Sequence, residues 1–177
     1  LILPFFLLFL FFLVLFFIWR INARKYISSG TVASAYDAWT QDKLLERLWG
    51  EHIHLGFYDS GKKNIDFRKA KVQFVHELVK WSGLDKLPKG SRILDVGCGI
   101  GGSSRILAEY YGFNVTGITI SPAQVKRARE LTPLGICCNF QVMDALNLEF
   151  EDGEFDAVWS VEAGAHMNDK SQFANEI

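Results

Sequence analysis

The hydrophobic pattern divides the chain into three regimes. Residues 1–18 carry no charged or polar side chain, and seven of them are Phe. Wound as a helix they reach roughly 27 Å, close to the ~30 Å hydrocarbon core of a bilayer. Pro4 falls in the first turn, where its missing N–H does little harm. Trp19 follows at the interface position, and Arg20, Arg24 and Lys25 form a basic flank. A signal-peptide core is shorter and carries its charges in front, and a buried core helix rarely runs this far without a polar residue. The pattern therefore predicts a membrane anchor over residues 1–19. The basic flank puts everything after it on the cytoplasmic or topologically equivalent side.

The second regime, residues 20–90, reads as a linker and a helical cap. "SSGTVASA" (28–35) is expected to be a small-residue joint. Val32, Ala35, Tyr36, Trp39, Leu44, Leu45 and Leu48 then recur at helical spacing, in one or two helices. "WGEHIHLGFYDSGKK", rich in glycine and aromatics, reads as a loop. Residues 67–82 return to an amphipathic helix with Val72, Val75, Leu78 and Val79 on one stripe, and Gly83 just past its end.

From Ser91 onward, short apolar runs alternate with helical ones. Strands are expected over 93–96, 113–118, 138–142 and 155–160, and helices over 103–111 and 121–131. The second helix has strong start signals: Ser121 as N-cap, Pro122 at the first helical position and Gln124 completing a capping box. This alternation implies an α/β fold with a doubly wound parallel sheet.

Composition adds limits. A chain of 177 residues holds one core-forming domain. A net charge of −1 gives no footprint for nucleic acid. Cys98, Cys137 and Cys138 lack zinc-site spacing and are odd in number for a disulfide framework, so reduced thiols are the simplest expectation. The only methionines are Met143 and Met167, and the last residues enter a new helix. Both ends therefore look cut. Residues 91–177 are expected to be the first part of a larger domain, whose fourth strand would otherwise expose an apolar edge.

The chemistry concentrates in "DVGCGIGGSS", residues 95–104. Gly97, Gly99 and Gly102 satisfy the dinucleotide pattern G-x-G-x-x-G. That site also needs an acidic residue at the end of the second strand, and the sequence there is "GITIS". An acid stands instead at Asp95, where the first strand meets the loop. Asp95, Gly97, Gly99 and Gly101 together suit S-adenosylmethionine, with glycine backbone lying close beneath the cofactor. Asp144, after the third strand, is placed to accept from the adenine amino group, or else to cap a turn.

The strings "RILDVGCGIGGSSRILA", "GITISPAQVKRA", "FEDGEFDAVWSVEAGAHMNDK" and "WGEHIHLGFY" together resemble the tocopherol and plastoquinone methyltransferases of oxygenic phototrophs. The likeness runs from about Ser28 to the end and is nearest the membrane-anchored benzoquinol branch. The γ-tocopherol branch shares most of the same strings. The resemblance implies a Rossmann-like class I methyltransferase sheet, S-adenosylmethionine as cofactor and a prenylated benzoquinol in the bilayer as substrate. It implies that Asp95, Gly97, Gly99 and Gly101 bind the cofactor, that Thr119 and Gln124 of "TISPAQ" serve the ribose region, and that Tyr36 closes over the site. Ala165, where proline or a charged residue is usual, bears on substrate fit.

A ring carbon of a hydroquinone becomes nucleophilic when a ring hydroxyl loses its proton, so the chemistry wants a base. His166 and Glu162 follow the fourth strand, and His52 and His54 lie in the aromatic loop; these four are the catalytic candidates, with imidazoles suited to proton traffic near neutrality. No ligand spacing supports a metal. Two other readings stay open: methylation of another lipid or small amine on the same fold, and a cofactor-binding protein without turnover.

Overall fold

The computed structural model describes residues 8–17, 29–59 and 65–177. Helix α1 (8–17) is part of the segment read as an anchor, and its Phe and Leu side chains are exposed. Among the described residues no helix is long and apolar enough to cross a membrane. The rest of the expected anchor and its basic flank lie outside the described residues.

Helices α2 (Ser29–Gln41) and α3 (Leu44–Trp49) follow, then an irregular loop over 50–59 and helix α4 (Phe67–Ser82). The expected joint at 28–35 is helical from Ser29 onward. Alanines 33 and 35 favour helix, Val32 is buried, and the Ser34 hydroxyl donates back to Gly30 O at 2.8 Å. In α4, Asp66 caps the N-terminus by accepting from the Arg68 and Lys69 N–H groups, and Gly83 closes the other end with φ 76°. The buried stripe is Lys71, Val75 and Val79 with Ala70, while Val72 turns outward. The expected stripe was thus displaced by one residue, because a lysine occupies a core-facing position.

The α/β part comprises β1 (Arg92–Val96), α5 (Gly102–Tyr111), β2 (Asn114–Thr119), α6 (Pro122–Leu131), β3 (Cys138–Val142), β4 (Ala157–Trp159) and α7 (Lys170–Glu176). All four strands are parallel, in the order β3-β2-β1-β4. β1 is central and buried over its last four residues, as a strand covered on both faces must be. Alternation then sorts its side chains. Ile93 packs with Val75, Val79, Leu107 and Phe113 on one face, and Leu94 and Val96 pack with Ile118 and Ala145 on the other. β4 is shorter than the sequence suggests, because side chains replace the ladder at its ends. Asp156 accepts from the Arg92 N–H at 2.7 Å, and the Ser160 hydroxyl donates to Val96 O at 3.2 Å.

Helix α6 fastens the N-terminal helices to the sheet. Ser121 caps α6 by accepting from the Gln124 N–H at 3.1 Å. The reciprocal half of the expected capping box is absent, since the Gln124 side chain turns to Thr119 and the Ser121 N–H donates to the Thr119 hydroxyl. Asp37 of α2 supplies a second cap, accepting from the Ser121 hydroxyl at 2.5 Å and the Ala123 N–H at 3.1 Å. Below it, Arg127 makes a two-pronged pair with Glu46 of α3 at 2.7 and 2.9 Å. Replacing Asp37 by Ala is expected to lower the unfolding free energy by about 1–2 kcal/mol. Urea titration measures the loss, and amide exchange should rise first in α2.

Candidate active site

The chain runs outward from β1 to β2 and β3, then returns to β4 on β1's other side. That reversal opens a crevice at the carboxyl ends of the strands, the usual ligand position in such sheets. Into one cleft there the fold brings Tyr36, His52, His54, Asp95, Gly97, Gly99, Thr119, Gln124, Asp144, Glu162 and His166. Of the residues singled out from sequence for the site, Gly101 and Ala165 do not line it.

The glycines have separate reasons. Gly97 (φ 77°) lies against Ala163, whose Cβ would be 2.4 Å from any Cβ added at 97. Gly101 (φ 78°) caps α5 beneath Phe140, whose Cζ would lie only 2.6 Å from a Cβ added at 101. A Cβ added at Gly102 would meet Glu51 O and the His52 ring at 2.8 and 2.9 Å. Gly99 (φ 56°) alone would send a side chain into free cleft space, its nearest neighbour being Gln124 Nε2 at 4.0 Å. Packing within the protein thus gives most of the motif's glycines a reason of their own, with Gly97, Gly99 and Gly102 also lining the cleft. Protein packing accounts for Gly97, Gly101 and Gly102, and Gly99 leaves room for something else.

Asp95 stands at the end of the central strand, 3% exposed, between Gly117 and Trp159 of the neighbouring strands. The Ser104 hydroxyl donates to its Oδ2 at 2.5 Å. Burial pushes the carboxyl up to about 7, against the pull of that hydrogen bond. On the β2 side, the Thr119 hydroxyl donates to Gln124 Oε1 at 2.7 Å, giving a preset hydroxyl–amide pair. Asp144 shows the turn-capping role: its Oδ1 accepts from the Leu146 N–H at 2.9 Å, while its side chain still lines the cleft.

The loop over 50–59 covers the opposite wall. Lys71, 4% exposed, donates to Trp49 O and His52 O at 3.1 and 2.7 Å, with its ammonium 4.9 Å from the Trp49 ring. Arg105 of α5 pairs with Glu51 at 2.6 Å and donates to Ile100 O of the glycine loop at 2.8 Å. Sequence reading missed both cations. For Lys71 the signal was a lysine four and eight residues ahead of Val75 and Val79.

His52 and His54 are in contact, His54 Nε2 lying 3.1 Å from His52 Nδ1. His54 Nδ1 lies 2.7 Å from Leu55 O. The Leu55 N–H donates to Glu162 at 3.0 Å, so a carboxylate from beyond β4 pins the loop. Glu162 reaches it with φ 56°, a left-handed conformation that costs a residue other than glycine ~1–2 kcal/mol. Burial drives His52 down to about 3, helped by His54, Arg105 and Lys71, and lowers His54 as well. His52 therefore does not titrate near neutrality, contrary to expectation, and burial favours the neutral form of His54 too. His166 sits at the rim, its ring edge-on to Tyr36 at 5.7 Å.

The folded value of Asp95, about 7, lies above its unfolded 3.8, so ionisation opposes folding. The ligand-free protein should lose stability as pH climbs from about 4 through about 7. Asp95→Asn is expected to flatten that slope and to raise the thermal midpoint at pH 8 while changing it little at pH 4, as differential scanning calorimetry across pH would record.

Residues 93–177 match the family model described as a methyltransferase domain. Over 160 residues the chain is 60% identical to the 2-methyl-6-phytyl-1,4-hydroquinone methyltransferase of Synechocystis sp., covering 90% of this chain and 50% of that one. It is 43% identical over 144 residues to the chloroplastic tocopherol O-methyltransferase of Arabidopsis thaliana, covering 76% and 41%. The chain thus spans about half or less of the length of these curated relatives. Among solved structures, the [4+2]-cyclase SpnF superposes with a TM-score of 0.74 at 28% identity, covering 85% of this chain and 55% of that one. The resemblance read from the motifs holds, and it extends ahead of the glycine loop. The cyclase shows that the architecture alone does not fix the reaction.

Proposed function

We propose, for a chain whose residues 93–177 belong to the methyltransferase-domain family, that it methylates a ring carbon of a prenylated benzoquinol using S-adenosylmethionine. The observation that carries this reading is the convergence, in one cleft, of a donor half with an acid–base half. When bound, S-adenosylmethionine supplies an electrophilic methyl group on a sulfonium. Asp95 offers a buried carboxylate to its ammonium group. Gly99 leaves the space beside the glycine loop open, Thr119 and Gln124 face the ribose hydroxyls, and Asp144 Oδ2 accepts from the adenine amino group. Tyr36 closes the mouth.

The quinol then lies toward His52, His54, Glu162 and His166. The work of these residues is to hold the ring in line and to handle its protons in a site screened from water. The higher identity to the phytyl-hydroquinone enzyme than to the tocopherol enzyme supports the benzoquinol as acceptor. A tail-bearing quinol resides in the bilayer, and the apolar segment at residues 1–19 suits an anchor that keeps the domain on the cytoplasmic or stromal-equivalent side. The exposed Phe and Leu side chains of α1 fit a lipid environment.

Labelled methyl donor should transfer its label to 2-methyl-6-phytyl-benzoquinol in vesicles at least tenfold faster than to γ-tocopherol. The reverse preference would favour the tocopherol branch, and donor binding without transfer to either would favour a protein that uses the fold as the cyclase does. In calorimetry, Asp95→Asn should weaken donor binding at least tenfold.

A further inference from the structure

The two histidines of the loop carry more information than their presence in the cleft. Leu55 O has no proton to give, so the nitrogen facing it at 2.7 Å, His54 Nδ1, must carry one. In a neutral ring that leaves His54 Nε2 as a lone pair. His52 Nδ1, 3.1 Å away, must then be the donor of that contact. The remaining nitrogen of the outer ring, His52 Nε2, is consequently a lone pair. One backbone carbonyl thus dictates the tautomers of two rings in series.

That carbonyl is itself fixed. Leu55 is gripped on its other side by Glu162, and the loop before it by Lys71 and Arg105. His52 Cε1 would lie 2.9 Å from a Cβ on Gly102, so the ring is wedged against the first turn of α5. The His54 ring rests 5.3 Å from Phe74 of α4. The charged and titratable groups around the pair are Glu51, Lys71, Arg105 and Glu162. Glu162 and Lys71 brace the loop's backbone through hydrogen bonds, and Arg105 ties Glu51 down.

Resting on the methyltransferase reading above, we infer that His52 is the catalytic base, acting through Nε2, and that His54 is a positioning residue that fixes its tautomer and then shares its charge. As the quinol O–H bond breaks, its proton passes to His52 Nε2, and the quinolate formed beside it offsets the burial that disfavours the charged ring in the ligand-free protein. The oxygen's electrons enter the ring, the ring carbon bonds the methyl group, and the sulfur–methyl bond breaks with its pair left on sulfur. The ring C–H proton then leaves to the oxygen, restoring the aromatic hydroxyl. Meanwhile the His52 Nδ1 proton can move to His54 Nε2, which places the positive charge nearer Glu162. Return of that proton and its release from Nε2 to solvent resets the pair, so the net product is one proton per methyl transferred.

Long-range proton–nitrogen correlation spectra of the intact protein at pH 7.5, with no substrate, read the tautomers directly. Both rings are expected as Nδ1–H forms, and an Nε2–H form of His52 would overturn the inference. In the methyl-transfer assay, His52→Gln should lower kcat at least ~100-fold with donor affinity changed less than twofold. The deficit should shrink toward pH 10, where a phenol ionises unaided, and added imidazole should partly restore a His52→Gly variant. His54→Ala should lower kcat ~10-fold and shift the His52 nitrogens to the other tautomer. His52→Gln retaining activity within threefold of wild type, or a loss indifferent to both pH and imidazole, would overturn the base role. A wild-type protein silent toward every quinol overturns the proposed acceptor and the base role together, yet leaves the tautomer pair to be judged by its spectrum.

Discussion

A segment with no helix or strand of its own has to satisfy its backbone groups by borrowing, and the loop over residues 50–59 borrows from almost every element around it. Its His52 carbonyl accepts from Lys71, its amides give to Glu162 and to Ala70 O, and its Glu51 carboxylate is answered by Arg105. Gly56 lets the chain press onto α4, where a Cβ would come within 2.8 Å of Ala70. Burying two cations is costly unless each is fully engaged. Here the engagement is with the wall of the cleft itself, so the polar groups in the core are the ones that shape the site.

The sheet meets this wall with a different kind of tension. Asp95 is buried with one hydroxyl for company, and its carboxyl is correspondingly reluctant to ionise. Opposite it, the two imidazoles are held neutral by the same exclusion of water. Burial thus disfavours the charged form of acid and base alike in the ligand-free protein. Such an arrangement suits a cleft that receives a cation on one side and a neutral ring on the other, with little charge of its own to neutralise first.

Much of this was legible in the residues. The short apolar run around 93–96, the Ser-Pro-x-Gln start of α6 and Gly83 at the end of α4 are local signals, and the fold obeys them. That the sheet is parallel followed from the alternation of strands and helices. What escaped was long-range. Lys71 could be placed in the core only once carbonyls 22 and 19 residues away were known to receive it. Asp37 became a cap for α6 only across 84 residues. The glycine motif hides a long-range part as well. Its spacing marked the site correctly, yet three of its glycines answer to neighbours in the protein, which no one-dimensional pattern reveals. The histidines were found, but their neutrality comes from burial and could not be read from their type.

The contact between Gly97 and Ala163 has a consequence for how this chain can vary. The two positions, 66 residues apart in a chain that otherwise treats them as unrelated loops, share the volume of a single methyl group. A change at one is constrained by the other, and the exchange is not symmetric, because only position 97 is also held at a backbone angle that side chains resist. The pair therefore acts as a ratchet on sequence drift: the methyl can be lost from 163 without penalty at 97, but it cannot be moved across the gap.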